Sequence, residues 1–244
     1  MTSKYIEDLA SDFWECVGSP EPFPRGLEHS IRCAKPVDIA HLPDLCPSAI
    51  GHWLRRHGYQ FPLQTQERWL NGCLLVFRGM GFVFVEAGLD AAEARMIVAH
   101  EFGHCLAEYD GPRERARRRL GPHVLTVFDG ERPPTDQQKF QAALAGVELG
   151  VHVHYMERKP DSTFPEYVGQ VERTANELAF ELIAPWRTVF AALQAQGPLP
   201  TDAGRWLEVL QRRFGLPASW AQPYAERLSA LARKRRTFSE ILGF

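Results

Sequence analysis

The sequence predicts an α+β fold: a short, mainly antiparallel sheet packed against one buried helix and several further helices, with a helical segment towards the C-terminal end. Three stretches carry this expectation. GCLLVFRG and GFVFVEAG, residues 72–79 and 81–88, are runs rich in Val, Phe and Leu that meet at the Gly79–Gly81 region, as the strands of a hairpin would. MIVAHEFGHCLA, residues 96–107, is apolar apart from two histidines and one glutamate, a composition suited to a core helix. EYVGQVERTANELAFELIAPW, residues 166–186, repeats apolar residues at helical spacing until Pro185 ends it.

Composition sets the outer bounds. At 244 residues the chain can build one substantial core, and 45% hydrophobic with 24% charged residues is ordinary for a globular protein. A net charge of −2 gives no overall pull towards nucleic acid or anionic membranes. The five cysteines, Cys16, Cys33, Cys46, Cys73 and Cys105, are odd in number and widely spaced, with no C-x-x-C pair, which argues against a disulfide scaffold and a cysteine zinc cluster. The N-terminal residues carry acids where a signal peptide needs basic and then apolar residues, and no apolar run is long enough to span a bilayer. A cytoplasmic protein without a membrane partner is expected.

In chain order, Ile6, Leu9, Phe13 and Trp14 predict a short amphipathic helix that stops at Gly18, before a Pro-rich stretch read as a linker or surface strap. Residues 36–59 predict two short helices, the second opening near Pro47 and ending at Gly58, with Ile50, Trp53 and Leu54 as its buried stripe. His41, His52 and His57 lack paired ligand spacing and read as surface or capping residues. FPLQTQ, residues 61–66, is a candidate third strand beside the hairpin. Asp90, with Glu93 three residues on, predicts the start of the helix that runs through residue 104. The Arg-dense PRERARRRLGP reads as a solvated face, HVLTVFDGERPP as room for a short strand, and Asp136 to about Leu149 as a helix. Val151 to Tyr155 alternates as a strand would. His152, His154 and Tyr155 read as structural, and would bear on a transition state only if they faced a metal.

The chemistry concentrates at His100, Glu101, Phe102, Gly103 and His104, which read H-E-x-x-H. At about 100° per residue, His100 and His104 project from one helix face a turn apart, with Glu101 beside them. Burying such groups without partners costs several kcal/mol, on the order of what a metal ion would relieve. Two imidazoles, a third ligand and one open position make a catalytic zinc site, with Glu101 as general base. Gly103, lacking a side chain, lets another element approach this face.

The third ligand is sought on the 166–186 helix. Projection places Glu172 on the edge of the buried stripe, between Ala179 and Ile183, with Asn176 one turn further on the same edge. Glu177 and Glu181 fall with Arg173 and Gln170 on the solvated side. Glu172 is therefore the chosen ligand, and Asn176 is placed to hydrogen-bond a ligand histidine. A glutamate favoured by the helix dipole is the competing reading of Glu172.

These two motifs, H-E-F-G-H and E-R-T-A-N-E-L-A, resemble the ImmA/IrrE metallopeptidases, whose pattern is H-E-x-G-H followed by E-x-x-A-[ND]-x-x-A. The resemblance covers roughly residues 36–185. It implies a gluzincin-like fold, zinc held by His100, His104 and Glu172, Glu101 as catalytic base and Asn176 next to the metal shell. For several members it implies cleavage of a helix-turn-helix repressor. The spacing between the motifs is longer here, an insertion of about residues 110–165. The chain so read divides into an N-terminal helix and strap (1–35), a metallopeptidase domain (36–190) and a helix-turn-helix-like segment (191–244). In the last, two helices packing back on the core is preferred over DNA binding.

Two functions follow as expectations. The first is a zinc-dependent endopeptidase acting on a protein substrate, a transcriptional repressor being the one the resemblance implies. The second is a non-catalytic regulator in which zinc staples the fold and the basic C-terminal helices bind DNA or a protein partner.

Overall fold

The computed structural model describes residues 2–61, 63, 66–145, 152–158 and 166–242. Helix α1 (Lys4–Val17) starts where the Ser3 side chain accepts from the Ile6 N–H and stops at Gly18, whose φ of 87° suits a residue without Cβ. Its Ile6, Ala10, Phe13 and Trp14 are buried. The Pro-rich stretch is a packed strap: the Arg25 guanidinium donates to the Leu182 carbonyl at 2.9 Å, and the Phe23 ring lies 4.5 Å from that of Phe214. Helix α2 (Leu27–Ala34) follows. Residues 37–42, expected to be helical, instead form strand β1 (Val37–Leu42). Val37 and Ile39 are buried and Asp38 and Ala40 half-buried, a period of two that outweighs the helical reading once a strand is available to pair with. Helix α3 (Pro47–Arg56) opens with Pro47 in its first turn and buries Ile50 and Leu54 of the expected stripe, while Trp53 is half-buried against Phe82 and Phe84. Of FPLQTQ, Phe61, Leu63 and Gln66 carry no strand, and the other three residues lie outside the described ones.

Strands β2 (Leu70–Phe77) and β3 (Met80–Glu86) form the predicted hairpin, turning through Arg78 and Gly79, both at positive φ (53° and 76°) as a two-residue loop requires. A further strand, β4 (His152–Glu157), completes a four-stranded sheet of order β1-β3-β2-β4. β1 pairs parallel with β3 while the other two pairings are antiparallel, so the sheet is mixed. Alternation then assigns two faces. Leu74, Val76, Val83 and Val85 join the core formed with most of the helices, whereas Cys73, Leu75, Phe82 and Phe84 pack with Leu45, Ile50 and Leu54. β3, the strand preceding the H-E-x-x-H helix, is interior, between β1 and β2. The sheet edge that reaches the site is β4.

Asp90 caps helix α4 (Ala91–His104) by accepting from the Ala92 and Glu93 N–H groups at 2.8 and 2.9 Å. The chain continues through a π-helical segment, Cys105–Asp110, into helix α5 (Gly111–Leu120). HVLTVFDGERPP, read as room for a short strand, holds none: residues 122–124 are a 3₁₀ turn and Leu125–Phe128 the one-turn helix α6, with Val124, Val127 and Phe128 buried at spacings of three and four. Helix α7 (Asp136–Ala145) matches the predicted start, and the expected continuation to about Leu149 lies outside the described residues. Helices α8 (Glu166–Ile183), α9 (Trp186–Gln194), α10 (Ala203–Arg212) and α11 (Ala218–Leu242) finish the fold. Trp206, Leu210, Phe214, Tyr224 and Leu228 share one core with α1, α4 and α8, so the apolar faces of α10 and α11 turn inward. The Tyr224 hydroxyl donates to the Ala184 carbonyl at 3.0 Å. The side chains of Arg235 and Arg236, part of the basic tail, lie outside the described residues. Among the described residues, no helix is long and apolar enough to cross a membrane.

Glu181 departs from the projection that placed it in solvent: it is 9% exposed, and its Oε2 has no hydrogen-bond partner. The projection sees only one apolar stripe on α8, whereas α1 covers a second side of it. Burial pushes the Glu181 carboxyl up to about 7. Below the unfolded value of 4.5, both folded and unfolded forms are protonated and nothing is lost. Between 4.5 and 7 the unfolded chain ionises first, so stability falls as pH rises, and the full cost applies above 7. Glu181→Gln is expected to stabilise the protein at pH 8 by about 2–3 kcal/mol more than at pH 4. Urea unfolding at the two pH values measures this, and equal effects would refute it.

Candidate metal centre

Nine consecutive residues of α4, Met96 to His104, are buried, so its polar groups are satisfied by neighbouring elements or not at all. His100 is 1% exposed, and Glu101 and His104 are 0%. The Nε2 atoms of His100 and His104 face each other at 3.0 Å. Helix α8 crosses this face at Gly103, where a Cβ would lie 2.8 Å from the Ala175 carbonyl oxygen, so the glycine allows the approach the sequence implied. That approach brings Glu172 in. Its Oε2 lies 3.4 Å from His100 Nε2 and its Oε1 3.8 Å from His104 Nε2. Asn176, a turn further along α8, places Oδ1 2.7 Å from His100 Nδ1 and thereby directs Nε2 towards Glu172. The structure thus brings together His100, Glu101, His104, Glu172 and Asn176, every site residue expected from sequence.

Two further groups were not foreseen as parts of the centre. His154, on β4, pairs with Leu74 of β2 and so projects on the α4 face of the sheet. Its Nδ1 stands 3.0 Å from Glu101 Oε2 and its Nε2 2.8 Å from Glu172 Oε1, while its ring stacks on His104 at 3.6 Å. The signal was the V-H-V-H alternation from Val151, which puts His152 and His154 on one strand face. Which face it is depends on pairing with β2, far upstream. Glu108, in the π-helical segment, is the second. Its Oε1 meets His104 Nδ1 at 2.5 Å and its Oε2 meets His152 Nε2 at 2.9 Å. A carboxylate on the far nitrogen fixes the tautomer of His104 with Nε2 facing inward. Single π turns recur where a helix must aim a side chain at a functional site.

The electrostatics fit a cation. Burial holds His100 below the usual histidine value, which favours a neutral imidazole. Burial acts on His154 in the same sense, yet the Glu101 and Glu172 carboxylates overcome it and raise the ring to about 10. His104 is likewise raised, against its burial, by Glu108 and Glu172. Glu108 is lowered to about 2 despite burial by its two histidines, and Glu172 is lowered well below the carboxylate range by three. The cluster is a set of carboxylates seeking positive charge, and a divalent ion would supply it in place of protons on the rings.

The donor set fits such an ion. One ligand atom each from His100, His104, His154 and Glu172 lies within 4.8 Å of all the others. Ligand atoms about 2.0–2.1 Å from a single ion stand about 3.3 Å apart at tetrahedral angles. Glu101 Oε1 is buried and has no hydrogen-bond partner, and a Cβ on Gly72 would sit only 2.7 Å from it, so β2 is kept bare to admit the carboxylate. The chain matches no protein-family model, curated protein or solved structure. The resemblance to ImmA/IrrE proteins therefore rests on the two sequence motifs alone.

Proposed function

We propose that the protein is a metal-dependent endopeptidase. The observation that carries this reading is the meeting of His100, His104 and Glu172 from two helices, with a fully buried Glu101 alongside. His100, His104 and Glu172 would hold the ion. Imidazole and carboxylate donors suit zinc, which supplies Lewis acidity to polarise a carbonyl and acidify water. Glu101 accepts the proton of the attacking water and passes it to the leaving amine. Asn176 and Glu108 keep the ligand rings in register from behind. His154, its Nδ1 3.0 Å from Glu101 Oε2 and its Nε2 2.8 Å from Glu172 Oε1, holds the base and the third ligand in position. A helix-turn-helix repressor as the substrate follows from the motif resemblance alone.

Metal removal tests the proposal. A pool of random peptides incubated with the protein is expected to yield new N-termini. Dialysis against a chelator should abolish them and added zinc restore them. Cleavage that persists after the metal has been stripped would reject the reading.

His154 also supports a second reading. Its Nε2 can serve as a fourth protein ligand, and four protein ligands close a zinc site and make it structural. The protein would then be a zinc-stapled regulator that binds DNA or a protein. Glu101 weighs against this, because a closed site has no use for a base.

A further inference from the structure

We propose that the cavity between α8 and α11 is the pocket that selects a large apolar side chain of a peptide substrate, a proposal that rests on the peptidase reading. The cavity measures about 510 Å³ and reaches the rear of the metal centre, where Asn176 lines it and contacts the far nitrogen of His100. Successive residues of α8 turn through about 100°, so Glu172 and Asn176 share one stripe while Arg173, Glu177 and Phe180 share the next. Asn176 belongs to both: it contacts His100 Nδ1 and lines the cavity. Trp220 closes the other wall, its ring 5.8 Å from that of His100. A peptide bond held at the cluster therefore has a neighbouring side chain within reach, since residues along an extended chain are about 3.3 Å apart.

The lining decides what that side chain is. Phe180 and Tyr224 stack at 4.1 Å, and Trp220 stands edge-on to Phe180 at 6.2 Å. Of the charges lining it, Arg227 is spent on Glu177 at 3.2 Å and lies 5.1 Å over the Tyr224 ring, while Arg173 is exposed and stands at the mouth. Beyond that mouth an acidic or basic side chain would lose its hydration without a free counter-ion, whereas Phe or Leu would gain aromatic contact. Pro223 has no N–H, so the Ser219 carbonyl lacks its intrahelical donor, and both residues line the cavity. That carbonyl can accept from a substrate main-chain N–H, which suits a peptide better than a simple hydrocarbon.

The test uses acetylated, amidated hexapeptides of alanine in which one position is Phe, Leu, Asp or Gly. Their affinity for the full-length Glu101→Gln protein, loaded with zinc, is measured by calorimetry, and their cleavage by the wild type is mapped by mass spectrometry. The Phe and Leu peptides should bind at least about tenfold tighter than the Gly and Asp peptides, a difference of about 1.4 kcal/mol. Cleavage should fall at a fixed distance from the Phe or Leu. Trp220→Ala, and Ser219→Phe at the exposed rim, should each erase the preference. Equal or undetectable binding of all four peptides, tightest binding of the Asp peptide, or a preference unchanged in both variants overturns the pocket. Selective binding without any cleavage by the wild type would instead overturn the peptidase reading and uphold the pocket.

Discussion

Glu101→Gln is expected to bind zinc at the wild-type stoichiometry and to lose about 10²–10⁴ in peptide hydrolysis, the range associated with a positioned general base. The substitution keeps size and shape. The amide oxygen of the introduced glutamine can still accept from His154 Nδ1, the contact made by Glu101 Oε2 at 3.0 Å, and His100, His104 and Glu172 are untouched. What disappears is the capacity to take up a proton. His104→Ala should behave differently, losing zinc and hydrolysis together, because this fully buried ring is one of the three proposed ligands. Zinc content by atomic absorption and initial rates on the cleaved peptide separate the two variants. An active Glu101→Gln protein would remove the proposed mechanism.

The parts of this centre that could be read in advance are those fixed by one helix. The spacing of His100 and His104 depends only on helical pitch, and so does the pairing of Glu172 with Asn176 on α8. Even the contact between the helices left a trace, since Gly103 stands where a methyl would meet the Ala175 carbonyl. The hairpin was legible for the same reason, its two strands being joined by a two-residue loop at positive φ.

Non-local pairing hid the rest. β1 reads as a helix in the sequence because VDIAHL is too short for its period to declare itself, and its strand character comes from parallel pairing with β3, more than forty residues on. His154 shares a strand face with His152, but the alternation does not say which side of the sheet that face meets. Its place is set by the register Leu74↔His154, which no local pattern encodes. Glu181 projects to the wrong side because a helix covered on two sides has two buried stripes, and only one is apolar enough to be seen. Each of these assignments required knowing which distant segment lies alongside.

His154→Ala decides between an open and a closed centre. In the proposed peptidase, His154 is not needed to hold the ion, since His100, His104 and Glu172 remain after its removal. Zinc should stay bound within about tenfold of wild-type affinity, a change within the range of lost outer contacts. Hydrolysis should fall about 10–100-fold, mainly in kcat, as for loss of an outer partner that positions the base. In the stapled regulator, His154 Nε2 is a ligand and its Nδ1 contact with Glu101 merely orients the ring. Removing it would then cost most of the bound zinc and, with it, stability, because metal affinity at a structural site is folding free energy. The geometry makes the comparison clean: the ring is contributed by edge strand β4 and stacks on His104 at 3.6 Å, while His100, His104 and Glu172 stand on α4 and α8. Zinc retention with a collapsed kcat supports the peptidase. Loss of zinc, with unfolding shifted to lower urea, would assign the centre to structure.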